Sequence, residues 1–348
     1  MKIHLESKDR RYDDRLKFIV DGVEILRKNH EIEFVNDAKE CDIYMSHQTL
    51  EAPDLEDAYA SKKPIIILQR ADSANIANEK MREAIKASQV VGFFKITNFK
   101  DPQNHNEKTS GDNRYHLNFI NDKYDFDEYE NKFSKNDLKK IKCALPAFYN
   151  FRFDHVRSTR NHFQHERPVD LNFAGIVDYS GNKNYKNMDA SNRRYEIVNL
   201  LNSHRKLAYE RANEYGNSYK NRKVVSHYGK PYTQPQYWQS LFLSKLSLSP
   251  WGFGAYNWRD YETIYLGGIL VKPDTDFLES YCDLYQSEKY YFKCDPNFKD
   301  LETVCENIIN NYNESIQKTK LAQRSLSEHF SITKICERFA RQINECIE

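Results

Sequence analysis

Residues 249–273, SPWGFGAYNWRDYETIYLGGILVKP, carry the most informative pattern in the sequence. A short apolar strand leads into it, and two glycines, Gly252 and Gly254, lie in the loop that follows. A helix is predicted to begin at Asn257, a residue type that favours helix N-caps, and residues 268–271 have the pattern of the next strand. Glycine lets a backbone approach a ligand, and the first turn of a helix presents unpaired N–H groups. The pattern predicts a strand–loop–helix unit that could bind a diphosphate.

Three charged side chains of this stretch are candidate ligand-binding residues. Arg259 and Glu262 are three residues apart, so they share one face of the predicted helix. An arginine can bind phosphate bidentately, and a carboxylate can accept hydrogen bonds from two ribose hydroxyls. Lys272 ends the following strand, at the edge where open α/β sheets bind ligands. The alternative is an ordinary strand–loop–helix with a surface ion pair, but the ordered set, with Gly267-Gly268 between, favours a binding site.

Outside this stretch, short apolar runs alternate with amphipathic segments. The N-terminal strands are predicted at residues 2–5, 31–35, 42–46, 64–68 and 90–96, with helices at 16–27 and 78–87. This rhythm is typical of parallel sheets covered by helices. We predict an α/β chain with an N-terminal domain at residues 1–150, a C-terminal domain at 151–325 and a closing helix at 326–348. The polar region 98–140 is interpreted as a solvated insertion, with an acceptor-side loop as the alternative.

Composition excludes several classes of protein. The chain has 348 residues, of which 39% are hydrophobic and 14% aromatic, too apolar for a disordered chain. Its 52 basic and 51 acidic residues give no global attraction to nucleic acid or to an anionic membrane. The seven cysteines, an odd number, fit reduced thiols, and no apolar run approaches the ~18 residues of a membrane helix. We therefore predict a cytoplasmic protein, with peripheral membrane association left open.

The stretch 249–273 resembles the donor-site signature of exostosin-like and related group-one glycosyltransferases of the GT-B type. The shared features are a Ser-Pro-x-Gly strand end, Arg-Asp-x-Glu, a small-residue pair and a strand that ends near proline. Upstream, Phe173-Ala174-Gly175 and Arg193-Arg194 are similar to the Phe-x-Gly and Arg-x-x-Leu elements of the same domain, so the resemblance covers about residues 171–285. It implies two Rossmann-like domains that face each other across a cleft, and it allows the C-terminal helix to return to the N-terminal domain.

The resemblance also implies residue roles. The candidate donor-binding residues are Gly252, Gly254, Arg259, Glu262, Lys272, Arg193 and Arg194. Glu262 would bind the ribose and Arg259 would meet the phosphates. Arg193 or Arg194 would neutralise the leaving diphosphate, as a reaction without a metal requires. No resident cofactor is implied, because the nucleotide sugar is a co-substrate. Gly254 stands eight residues before Glu262, where retaining members carry an acidic residue, and this departure favours an inverting mechanism.

An inverting transferase needs a general base that accepts the proton of the acceptor hydroxyl. Asp72 follows the strand predicted at residues 64–68, and His47 ends the strand predicted at 42–46. Both would lie at the carboxyl edge of the N-terminal sheet, where ligands bind. Each also has an ordinary structural interpretation, as a turn aspartate or a helix-capping histidine. The two residues are therefore alternative candidates for the base.

The leading hypothesis is a metal-independent enzyme that transfers a sugar from a nucleotide-sugar donor to a glycan acceptor in surface polysaccharide or glycoconjugate synthesis. A second hypothesis is transfer to a nucleic-acid base, since the segment 151–167 could supply a basic groove with aromatic stacking. A third is a sugar-binding homologue without catalytic activity. No metal site is predicted, because His162 and His165 lack an obvious third ligand.

Overall fold

The computed structural model describes residues 1–7, 16–48, 55–69, 76, 79–106, 109–110, 128–129, 131–146, 163, 165–174, 193–219, 221–227, 232–252, 255 and 257–348. The described strands of the N-terminal half are β1 Lys2–Ser7, β2 Glu33–Val35, β3 Ile43–Gln48, β4 Ile65–Gln69, β5 Val90–Lys95, β6 Thr97–Phe99, β7 Thr109–Ser110, β8 Glu128–Tyr129 and β9 Ile141–Cys143. Its helices are α1 Lys17–His30, α2 Glu56–Ala60, α3 Glu79–Lys86 and α4 Lys135–Lys140.

Six strands of this half form one parallel sheet, in the order β2–β1–β3–β4–β5–β9. All five residues of strand β4 are buried. Helices must therefore cover both faces of this sheet. Ile66 and Leu68 belong to the core that contains helix α1, whereas Ile65 and Ile67 pack into the core of α3 and α4. A continuous apolar strand of this kind is stable only when both faces of its sheet are covered.

The C-terminal half repeats this architecture. Its strands are β10 Val169–Ala174, β11 Val224–His227, β12 Ser244–Leu248, β13 Ile269–Pro273, β14 Leu278–Ser280 and β15 Phe292–Cys294. The helices are α5 Arg193–Ser218, α6 Gln234–Phe242, α7 Trp258–Tyr265, α8 Leu301–Asn310, α9 Tyr312–His329 and α10 Ile332–Ile347. Five of these strands form a second parallel sheet in the order β11–β10–β12–β13–β15. Helices α5 and α8 pack against one face, and α6, α7 and α9 contact the other.

Both sheets reverse their strand order at one position. In the first sheet the reversal lies between β1 and β3, and in the second it lies between β10 and β12. At such a position the chain leaves the two strands towards opposite faces of the sheet, so a crevice opens at their carboxyl ends. The fold therefore provides one crevice in each half of the molecule.

A short antiparallel ribbon of β6 and β14 joins the two halves. Strand β6 starts two residues after the carboxyl end of β5, and β14 starts five residues after the carboxyl end of β13. The backbone N–H of Lys100 extends this ribbon by donating to the carbonyl oxygen of Phe277 at 3.0 Å. The carboxyl edges of the two sheets therefore adjoin the same junction, as expected for two Rossmann-like domains that face each other across a cleft.

The last helix, α10, returns to the N-terminal half and packs against α1. Phe339 meets Phe18 edge-on at 5.1 Å between ring centroids and lies 6.1 Å from Phe94. Gly22 makes the close approach possible, because a Cβ atom at this position would lie only 2.2 Å from the Sγ of Cys336. The predicted fold class is thus confirmed, including the return of the C-terminal helix.

Helix α5 continues to Ser218. The closing helix differs from the sequence prediction of 326–348. Helix α9 continues to His329, and the final helix begins only at Ile332, where the Ser331 hydroxyl accepts the N–H of Lys334 at 3.3 Å. All seven cysteines are free thiols. Within the described part of the chain, no helix is long and apolar enough to cross a membrane.

Candidate functional site

Arg259 lies in the crevice of the C-terminal sheet. Its guanidinium donates one hydrogen bond to the carbonyl oxygen of Ala174, the last residue of β10, and another to that of Leu248, the last residue of β12, at 3.2 Å. The side chain is only 9% exposed, and its guanidinium carbon lies 5.5 Å from the ring centre of Phe173. One side chain of α7 therefore bridges the two strand ends where the strand order reverses.

Glu262 lies on the same face of α7, as the three-residue spacing predicts. One of its carboxylate oxygens accepts a hydrogen bond from the indole N–H of Trp238 at 3.0 Å. Tyr237, the neighbour of Trp238 on α6, interacts with both Glu262 and Arg259, and burial together with the charge of Glu262 raises the pKa of this tyrosine. The two predicted ligand-binding residues are thus brought together beside α6, whose aromatic side chains had given no sequence signal.

Lys272 occupies the predicted strand end but has no exposed surface. Its ammonium donates to the carboxylate of Asp260 at 2.6 Å and to the carbonyl oxygen of Ala255 at 2.7 Å. The same carboxylate accepts hydrogen bonds from the hydroxyls of Ser249 at 2.5 Å and Tyr285 at 2.8 Å. Burial lowers the pKa of Lys272, and the charge of Asp260 opposes that shift. Lys272 therefore holds the loop from beneath, and its predicted role towards a ligand stays a prediction.

The loop after β12 is fixed by side chains on two helices. The amide of Asn257 donates to the carbonyl oxygen of Pro250 at 2.8 Å, and the Nε2 atom of His204 accepts the backbone N–H of Trp251 at 3.2 Å. A side chain at position 252 would displace the Asn257 amide, since a Cβ atom there would lie 2.8 Å from the Oδ1 of Asn257. Gly254, the second predicted loop glycine, lies outside the described residues. The described part of the loop is thus held by side chains from both helices.

The glycine pair after α7 has a structural role. Gly267 has a φ of 76°, and its N–H donates to the carbonyl oxygen of Ile264 at 3.0 Å. The N–H of Gly268 donates to the carbonyl oxygen of Thr263 at 2.9 Å. These two bonds form a Schellman motif, in which a left-handed glycine ends a helix. The pair therefore explains how the chain turns from α7 into β13.

Arg193 and Arg194 open helix α5, but their side chains lie outside the described residues. Along the same helix, the structure brings Arg205 to the loop: its Nη2 atom lies 3.6 Å from the Cβ position of Gly252. Eleven residues make slightly more than three helical turns, so the backbone positions 194 and 205 lie on one side of the helix, roughly 16 Å apart along the axis. The sequence pattern gave no signal for Arg205 or its neighbour His204, because their contacts with the loop depend on how α5 packs.

The predicted base candidates belong to the N-terminal sheet. His47 is 5% exposed near the carboxyl end of β3, in register with Ser7 at the end of β1. It therefore lies beside the crevice of the N-terminal sheet. Asp72 lies outside the described residues. His47 keeps its place as a candidate by position alone, and the role of either residue stays a prediction.

The described members of the segment 163–167 serve the fold. Arg167 is 6% exposed and donates to the carbonyl oxygens of Phe242 and Ser244, both at 2.8 Å, and to that of Leu266 at 2.5 Å. Burial lowers its pKa to about 10. Because its donors satisfy helix and strand ends, Arg167 does not support a nucleic-acid groove. His162 lies outside the described residues, and among those described no three His, Cys, Asp or Glu side chains cluster as metal ligands.

Comparison with known proteins finds no matching family model and no matching curated protein. Among solved structures, TarM from S. aureus is 13% identical over 92% of this chain and 57% of TarM, with a TM-score of 0.47. HepE from Anabaena, in complex with UDP-glucose, is 9% identical over 99% of both chains, with a TM-score of 0.45. An alpha-glucosyltransferase in complex with UDP and a 13-mer DNA is 12% identical over 100% of this chain and 99% of that one, with a TM-score of 0.43.

The chain thus spans about 57% of the length of TarM. All three TM-scores are below 0.5. These likenesses leave the family of this chain open, and the fold rests on the strand order and helix packing described above.

Proposed function

We propose that this chain is a glycosyltransferase that binds a nucleotide-sugar donor in the crevice between β10 and β12. The observation that carries the proposal is Arg259, which spans the ends of both strands while Glu262 lies beside it on the same helix face. Ligands of open α/β sheets bind at this position, where the strand order reverses. The first turn of α7 adds N–H groups and the positive end of a helix dipole, which favour a diphosphate.

Each residue has a chemical role in this proposal. A carboxylate such as Glu262 can accept hydrogen bonds from ribose hydroxyls, and a guanidinium carries five N–H donors. The two carbonyl contacts of Arg259 use two of those donors. Gly252 would let the loop backbone approach the phosphates. Gly254, Arg193 and Arg194 remain proposed donor contacts, and Lys272 would act by holding the loop.

We further propose an inverting, metal-independent reaction with a glycan acceptor bound at the N-terminal sheet. The acceptor oxygen would attack the anomeric carbon as the bond to the diphosphate breaks, and the bonding electron pair would leave with the diphosphate. His47 or Asp72 would accept the proton of the acceptor hydroxyl. A cytoplasmic location belongs to the same proposal, since nucleotide sugars would be supplied there.

The test is direct binding of nucleotides, because a ligand that binds the folded state raises its unfolding temperature. UDP, GDP, ADP and CMP would be screened with their nucleosides, together with UDP-glucose. Glu262→Gln and Arg259→Lys should each lower the affinity for the selected nucleotide by about tenfold or more. This is the range for the loss of a hydrogen bond to a charged group. Radiolabelled sugar transfer to extracted glycans would follow with the same variants.

A matched control is the exposed pair Arg211 and Glu214 on α5, which has the same three-residue spacing. Arg211→Lys and Glu214→Gln should leave affinity and transfer unchanged. Wild-type protein that no nucleotide stabilises would refute the proposal. Salt-dependent DNA binding would instead support the nucleic-acid alternative, and sugar binding without nucleotide binding would support a non-catalytic protein.

A further inference from the structure

A cavity of about 510 Å³ lies at the amino edge of the C-terminal sheet, where its strands begin. Among the residues that line it, Arg167 precedes β10 by two residues, Lys245 is the second residue of β12, and Tyr312 is the first residue of α9. The five residues of β12 span roughly 16 Å. Because the strands are parallel, the cavity and the crevice at their carboxyl ends lie at opposite edges of the sheet.

Basic side chains outnumber acidic ones around this cavity. Among the described residues that line it, the cations are Arg167, Lys245 and Lys320, and Glu166 carries the one carboxylate. Asp170, which is not part of the lining, pairs with Lys245 at 2.6 Å and reduces the excess of positive charge without cancelling it. The whole chain has 52 basic and 51 acidic residues, so this excess is local. The cavity therefore favours an anionic ligand over a cationic one.

Contacts within the protein hold these cations at the wall. The ammonium of Lys320 lies 5.4 Å from the ring centre of Phe163, within the range of a cation–π contact. Lys245 is held by its ion pair with Asp170, and Arg167 is buried with its guanidinium bonded to strand and helix ends. Side chains that are already ordered lose less conformational entropy when a ligand binds. The positive charge of the cavity is therefore largely preorganised.

The neutral part of the wall suits hydroxyl groups and C–H surface. Asn313 and Gln317 are four residues apart on α9, so they share one face of the helix, and amide side chains both donate and accept hydrogen bonds. Burial raises the pKa of Tyr312, so its hydroxyl keeps its proton at neutral pH. Phe163 and Ile316 add apolar surface. Cations, amides and apolar surface together match a sugar ring that carries an acidic group.

We propose that this cavity binds an anionic sugar, a saccharide that carries a carboxylate or a phosphate group, at a site separate from the donor crevice. Lys245 and Lys320 bind the acidic group, and Asn313 and Gln317 bond to the ring hydroxyls. The volume of about 510 Å³ lies within the range of small-ligand pockets, about 300–1,000 Å³, so the cavity suits a monosaccharide or a disaccharide. The inference goes beyond the proposed function and does not depend on it.

The experiment compares acidic sugars with neutral sugars of similar size. Digalacturonic acid and glucose 6-phosphate would be titrated into the protein by calorimetry, against maltose and glucose. The acidic sugars should bind about tenfold or more tightly than the neutral ones, and added salt should reduce the difference by screening the charges. Lys320→Met should lower the affinity for the acidic sugars by about tenfold and leave that for the neutral sugars unchanged. Lys334→Met, at an exposed ion pair on α10, is the matched control.

Variants at both sites separate this cavity from the donor crevice. Lys320→Met should leave nucleotide affinity unchanged, and Arg259→Lys should leave the affinity for acidic sugars unchanged. If Arg259→Lys loses the acidic sugar while Lys320→Met retains it, the sugar binds in the crevice and the inference is wrong. A protein that binds acidic sugars but no nucleotide would support the cavity site and refute the proposed function.

Three further outcomes would overturn the inference. The first is equal affinity for acidic and neutral sugars, which would mean that the cations do not contribute. The second is inorganic phosphate that binds as tightly as glucose 6-phosphate, which would indicate an anion site without sugar recognition. The third is a wild-type protein that binds neither acidic sugar at millimolar concentrations.

Discussion

Lys95 shows how a single residue can make stability depend on pH. It ends strand β5 with no exposed surface, and its ammonium donates to the side-chain oxygen of Gln69 at the end of β4. Burial lowers the pKa of Lys95 to about 7, well below its ordinary value. The unfolded chain therefore binds one more proton than the folded chain between about pH 7 and pH 10. The contribution of Lys95 to the free energy of unfolding should therefore rise with pH across that window.

The prediction compares wild type with Lys95→Met, because other groups titrate in the same range and cancel in the difference. The free energy of unfolding of wild type minus that of the variant should increase by about 1.4 kcal/mol per pH unit between pH 7.5 and 9.5. Urea denaturation at several pH values measures it. A difference that stays flat would mean that Lys95 is protonated in the folded state throughout. Exposed Lys293→Met, 55% exposed, should give no such slope.

At the scale of elements, the buried pair of Lys272 and Asp260 joins strand β13 to helix α7 and to the loop before it. Both side chains have no exposed surface. Removing one partner of a buried pair leaves an uncompensated charge, so Lys272→Met and Asp260→Asn should each destabilise the fold by about 3–5 kcal/mol. The double variant should lose less than the sum of the two single losses, because no buried charge is left without its partner.

Denaturant unfolding of the two single variants and the double variant measures this coupling. The matched control is Lys293 with Asp274, an ion pair that is 55% and 46% exposed at 3.4 Å. Lys293→Met should change stability by no more than about 0.5 kcal/mol, as is usual for surface positions. If the stability loss of the double variant equals the sum of the two single losses, Lys272 and Asp260 are not a coupled pair. Unimpaired nucleotide binding by a folded Lys272→Met variant would contradict its positioning role.

The elements also show how far sequence patterns reach. Strand β4 and helix α7 were predictable, because a continuous apolar run and an Asn cap are local signals. The ribbon of β6 and β14 was not, since each strand has only three residues and pairing joins positions far apart in the chain. Arg205 was missed for a related reason: its contact with Gly252 depends on the length of α5 and on its packing. Lys272 was located correctly, but its burial depends on Asp260 and Tyr285, which sequence spacing does not bring together.

At the scale of the whole molecule, contacts among the described residues connect the two sheets. The ribbon of β6 and β14 joins their carboxyl edges, and helix α10 crosses back to α1. Arg338 on α10 donates to the carbonyl oxygen of Cys143 in the N-terminal sheet at 2.9 Å and to that of Tyr281 in the C-terminal half. The relative position of the two crevices thus depends on α10 as well as on the ribbon. A change at the contact between α1 and α10 should therefore affect the whole fold.

Gly22→Ala tests that dependence. Its Cβ atom would lie 2.2 Å from the Sγ of Cys336, so either α10 or the sulfur must move. Overpacking of this kind costs about 1–3 kcal/mol, which exceeds the gain of about 1 kcal/mol that alanine brings to a helix. Removing the sulfur with Cys336→Ala should make Gly22→Ala less unfavourable than it is in wild type. The free energies of unfolding of the four proteins measure this rescue.

Gly216→Ala is the matched control, because Gly216 also lies within a helix and its Cβ position is 3.0 Å from a side-chain methyl of Val224. That contact can relax by a small shift, so the loss should be clearly smaller than for Gly22→Ala. Nucleotide affinity separates local from global effects. Because α1 lies in the N-terminal half, a folded Gly22→Ala variant should keep the affinity of wild type while it loses sugar transfer, which requires both crevices. Wild-type stability and transfer in Gly22→Ala would mean that α10 does not pack on α1 through Gly22.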